Sequence, residues 1–147
     1  MTFCSFPPLR VLRLSRPAWL LLAALAAPAA SAQMLPSGAW TGTLAGPDGS
    51  RQPVEAEIAR CATGFTLAMT IGERTAHVPE SKPAVWQGGR LRFTTTRLRL
   101  PGTLLARPLV CDLAADAEGR LGGLCTSGSR RHRLELAPPE DAAVGCD

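Results

Sequence analysis

The chain has 147 residues, 46% hydrophobic and 19% charged, with 14 Gly and 13 Pro, which fits one globular domain and excludes collagen-like, coiled-coil and wholly disordered chains. The formal charge of +4 overstates its basicity. Arg10, Arg13 and Arg16 sit in an N-terminal leader, and without those three of 16 basic residues the rest, against 12 acids, is close to neutral, which argues against nucleic acid as a partner.

In residues 1–32 the three arginines precede an apolar run at 18–27 and the small-residue motif Ala30-Ser31-Ala32, the pattern of a secretory signal peptide. The run is shorter than the roughly 20 residues a bilayer span needs, and no later stretch is longer. The expected product is therefore secreted or periplasmic, with no membrane span after cleavage. It comprises a β-domain over 33–137 and an acidic C-terminal tail over 138–147 that carries Glu140, Asp141 and Asp147.

After the leader, short alternating runs are separated by turn chemistry. Residues 38–44 alternate and are stopped by Gly46-Pro47-Asp48-Gly49. Val54, Ala56 and Ile58 alternate with Glu55 and Glu57, and Ala62-Thr63-Gly64 turns the chain. Phe65, Leu67, Met69 and Ile71 form the clearest period-2 run, followed by a short one at 75–78. Gln87-Gly88-Gly89 opens a strand over 90–96 with Leu91 and Phe93 on one face. The apolar phase then slips between Thr95 and Leu98, so 97–109 fits a bulge, a wide loop or an extra strand.

Residues 109–127 read as a hairpin. A three-residue loop, Ala117-Glu118-Gly119, places Asp116 opposite Arg120. Five pairs further back, Cys111 meets Cys125, with Leu113 against Gly123 and Ala115 against Leu121 on the cysteine face. Directly opposed residues lie at a separation a disulfide accommodates. Cys61 and Cys146 then pair by elimination, since Cys4 leaves with the leader and an oxidising compartment favours full pairing. The last strand covers 131–136, with His132, Leu134 and Leu136 on one face.

About eight strands, no helical period and short sequential connections predict an all-β fold: a small antiparallel meander β-barrel, with a two-sheet β-sandwich as the alternative. Catalytic and metal constellations are scarce. The sequence has no C-x-x-C, G-x-S-x-G, H-E-x-x-H or P-loop, so neither an enzyme nor a metal or other cofactor is expected. His77 reads as an exposed loop histidine. The acid-free basic stretch within 81–110 suits either a solvated strand face or an anionic surface.

Gly38-x-Trp40 opening the first strand, the meander after it, the Arg-rich last strand and a C-terminal cysteine together resemble the calycin group, the lipocalins, avidins and their small secreted relatives. The resemblance implies that Trp40 closes one end of the barrel against Arg131 or Arg133, and that a disulfide ties a barrel strand to the C-terminal segment, as Cys61 and Cys146 would. The chain departs from lipocalins in lacking a helix before the final strand. Small eight-stranded secreted protease inhibitors resemble it about as well.

Two functions follow as expectations. One is a monomeric carrier of a small hydrophobic or amphiphilic ligand, with Phe65, Met69, Phe93 and His132 lining an apolar barrel mouth. The other is an exported protein-binding module such as a hydrolase inhibitor, its protein partner unknown.

Overall fold

The computed structural model describes residues 34–98 and 107–143. Among these described residues nine strands follow in order: β1 (Gly38–Ala45), β2 (Arg51–Cys61), β3 (Gly64–Ile71), β4 (Arg74–Val78), β5 (Val85–Gln87), β6 (Arg90–Thr94), β7 (Val110–Ala115), β8 (Leu121–Ser127) and β9 (Arg130–Ala137). A single 3-10 turn, Glu140–Ala143, comes after them. The leader, residues 99–106 and Cys146 lie outside the described residues.

All nine strands belong to one sheet, in the order β4-β3-β2-β1-β9-β8-β7-β6-β5, with every neighbouring pair antiparallel. A single continuous sheet is not a sandwich; it curls into a half-barrel. The odd strand number has a topological consequence. Eight antiparallel steps separate β4 from β5, so these two edge strands run in the same direction and no hairpin can zip them together. The edges are tied instead by sparse contacts. Phe65 and Ala84 exchange two backbone hydrogen bonds of 3.0 and 2.7 Å, and the Thr96 N–H donates to the His77 carbonyl at 2.7 Å.

The ninth strand is β5, which sequence alternation does not reveal because three residues carry too little period. Its hairpin to β6 is nevertheless sound: Val85 pairs with Arg92 and Gln87 with Arg90 across Gly88-Gly89. Both glycines have positive φ, 60° and 71°, as a two-residue primed turn demands.

The β7–β8 hairpin has the register its turn chemistry dictates: Cys111 opposite Cys125, Leu113 opposite Gly123, Ala115 opposite Leu121. Asp116 Oδ1 accepts from the Glu118 and Arg120 backbone N–H groups at 3.0 and 2.8 Å, and Gly119 takes the left-handed position at φ 77°. Cys111 and Cys125 form a disulfide and, at 2% and 0% exposure, lie inside the barrel.

Inward residues of all the longer strands merge into one cluster, including Trp40, Ile58, Leu67, Leu91, Leu113, Leu121 and Leu134. Each such side chain contributes about 1.5–3 kcal/mol by leaving water. Tight curvature needs two glycines on inward positions. A Cβ on Gly42 would collide with the Glu135 carbonyl, and one on Gly123 with the Asp112 carbonyl, so the backbones approach there as only glycine permits. Thr95 explains the phase slip. It stays inward and buried after the β6 ladder ends, and its hydroxyl is satisfied by donating to the Thr96 carbonyl (2.7 Å) and accepting from the Leu109 N–H (2.9 Å).

Candidate functional site at the barrel mouth

One end of the barrel is stopped by the chain itself. Trp40 is 1% exposed and Leu35 is buried in the same cluster, while the indole N–H donates to the Pro36 carbonyl at 3.2 Å. The segment before β1 therefore folds across this end and Trp40 anchors it. The basic partner implied by the calycin resemblance is not there. Thr41 pairs with Ala137 and Ala45 with Arg133, so antiparallel pairing carries Arg133 and Arg131 away from Trp40 along β9. Both are exposed, and Arg133 Nε instead donates to Glu135 Oε1 at 2.9 Å.

The opposite end, the mouth, collects the β1–β2, β3–β4 and β8–β9 turns. Here lies a cleft of ≈ 650 Å³. Its floor is apolar, made by Leu44, Ile71, Leu98 and Leu109, and its rim is polar, made by Asp48, Ser50, Gln52, Arg74, Ser127, Arg130 and His132. His132 is half-buried on the inward phase of β9, opposite Cys125. Asp48 organises the neighbouring turn, accepting from the Ser50 hydroxyl at 2.6 Å and the Ser50 N–H at 3.1 Å. Those hydrogen bonds, with a smaller contribution from the Arg130 charge, hold its carboxyl below the ordinary aspartate range.

Of the four residues proposed from sequence for a ligand, His132 alone lines this cleft. Phe65, Met69 and Phe93 face inward into the core but do not line the cleft. Phe65 is the second residue of β3, at the Trp40 end, and its ring carries the Arg60 guanidinium 5.6 Å from the centroid. The rim residues Asp48, Ser50, Arg74 and Arg130 were not singled out from sequence. Their signal was present as polar residues flanking the turns of three hairpins that share one end.

The other candidates fall elsewhere. His77 lies on β4 rather than in a loop; it is exposed, and its N–H donates to Thr96 Oγ1 at 3.1 Å across the sheet's seam. Within the basic stretch, Arg90 and Arg92 converge on Asp112 at 2.9 and 3.4 Å. Cys61 is half-buried and without a disulfide among the described residues. No group of three His, Cys, Asp or Glu capable of holding a metal ion occurs among the described residues, and no helix there is long and apolar enough to cross a membrane.

Comparison with known proteins finds no family model, no curated protein and no solved structure that matches the chain. The class defined by the fold is an all-β, curled antiparallel half-barrel, compatible with a calycin-like architecture.

Proposed function

We propose that the protein is exported and acts as a non-enzymatic binding protein that takes a small amphiphile at the barrel mouth. The observation that supports this reading is the cleft itself, an apolar floor of Leu44, Ile71, Leu98 and Leu109 beneath a rim that carries His132, Arg74 and Arg130. Such a layering suits a ligand with a short apolar end and an anionic head. Because the barrel interior is occupied by its own side chains, the ligand seats at the mouth and does not thread the barrel, unlike a ligand in a roomy lipocalin cavity.

The test is titration with an environment-sensitive fatty-acid probe at neutral pH, wild type beside His132→Leu. Saturable binding that His132→Leu weakens by up to about 1.5–3 kcal/mol is the expected result. Absence of saturable binding in the wild type would sink the carrier reading. It would favour the second one, a protein-binding module, for which Leu124 and Val110, 54% and 51% exposed on the outer faces of β8 and β7, are the contact points to test.

A further inference from the structure

Charge on this molecule is sorted along the barrel axis. Six arginines stand at the mouth: Arg51 lies between the cleft residues Ser50 and Gln52, Arg74 and Arg130 line the cleft, Arg131 sits between Arg130 and His132, Arg97 adjoins Leu98, and Arg107 precedes Leu109 by two residues. None of the six forms an ion pair among the described residues; the ion pairs there belong to Arg90, Arg92 and Arg133, farther along the strands. The acids at the mouth are Asp48 and Glu73, in the β1–β2 and β3–β4 turns. The Trp40 end is weakly acidic, with Glu80 after β4, Asp116 and Glu118 in the β7–β8 turn, and Glu140 and Asp141 in the 3-10 turn, against Arg60, Lys82 and Arg120.

We propose that the mouth end docks on an anionic lipid bilayer surface. The shape of the charged region favours a bilayer over a soluble polyanion. The arginines are spread over one end of the barrel, two of them on the cleft, which matches a flat layer of anionic headgroups, whereas a linear polyanion would be followed by a stripe along the barrel wall. Overall charge cannot supply the attraction, because the chain without its leader is near neutral; its separation along the axis can, and it also fixes the orientation with the acidic end outward. Docking in this way would hold the mouth cleft against a source of amphiphile, yet it depends on the placement of charge and not on the cleft being occupied.

The experiment is co-sedimentation of the disulfide-bonded mature protein with vesicles of phosphatidylglycerol and phosphatidylcholine in equal parts, beside vesicles of phosphatidylcholine alone. Two charge-matched triple variants separate the ends of the barrel. Arg51→Gln with Arg97→Gln and Arg131→Gln alters exposed mouth residues outside the cleft lining; Arg60→Gln with Lys82→Gln and Arg120→Gln removes the same charge from the Trp40 end. Near an anionic surface each arginine changes partitioning about fivefold, so the mouth triple is expected to bind about a hundredfold more weakly and the other triple about as well as wild type. Binding should vanish at about 0.5 M salt, where the Debye length falls to a few ångströms. Equal losses in the two triples, equal binding to phosphatidylcholine alone, or displacement from the vesicles by a soluble polyanion such as dextran sulfate at matched charge would each overturn the proposal. The fatty-acid probe titration of the mouth triple runs separately, so failure to dock and failure to bind an amphiphile are distinguishable.

Discussion

The two ends of the barrel solve the same problem differently. At one end the chain covers its own hydrophobic interior: Leu35 is tucked under, Trp40 is buried, and the indole bonds to the strap that crosses it. At the other end Leu44, Ile71, Leu98 and Leu109 are as buried as the rest of the core, but no strap crosses them and a cleft rimmed by polar turn residues lies above. Burial secures both ends, and the uncrossed cleft at the second is what makes a site available. The lesson is that a packed barrel can still offer a ligand surface, provided one end is not strapped over.

Truncating the plug should have the largest effect. Trp40→Ala is expected to cost about 3–5 kcal/mol, read as a fall in urea midpoint, whereas a change at the mouth such as His132→Leu should leave the midpoint nearly unmoved while altering probe binding. Comparable destabilisation by both would erase the distinction between plug and site.

The disulfide comes next. Cys111→Ser with Cys125→Ser should lower stability by about 3 kcal/mol for a bridge of sequence separation 14 and leave the far-ultraviolet circular dichroism β-like, since the hairpin is also set by its turn. Peptide mapping of the wild type should find Cys111 joined to Cys125; either one joined to Cys61 would contradict the register.

Asp48 should give the smallest and most local effect. Its carboxyl has a lowered pKa in the fold because Ser50 donates to it twice, so its contribution is present above the unfolded-state pKa and is lost as pH falls through the folded one. Asp48→Asn should therefore narrow the gap in stability between neutral pH and about pH 3, the acid side of ordinary aspartate titration. An unchanged gap would mean that the Asp48 turn does not couple to folding.

How much of this was legible in the sequence depended on whether two local signals coincided. In the β7–β8 hairpin the loop chemistry of Asp116 and Gly119 and the alternation of Cys111, Leu113 and Ala115 point to the same register, and that register is observed. β5 had only Gly88-Gly89 and three residues of strand, too little for periodicity to speak. Alternation also turned Phe65, Met69 and Phe93 inward, but inward says nothing about height in the barrel. Height is set by the long-range β1–β9 ladder, which joins strands from opposite ends of the domain and pairs Ala45 with Arg133. The mouth, and the separation of Trp40 from Arg131 and Arg133, could be read only once that ladder was known.

The position of the cystine gives the fold a chemical clock. Thiol–disulfide exchange requires a thiolate to strike a sulfur directly, and here both cysteines are shut behind the wall of strands at 2% and 0% exposure. A reductant must wait for the wall to part. The half-life of the bridge in excess thiol should thus stop depending on thiol concentration and settle at the rate at which the barrel unfolds, so that a simple gel-shift assay measures how long one folded molecule persists.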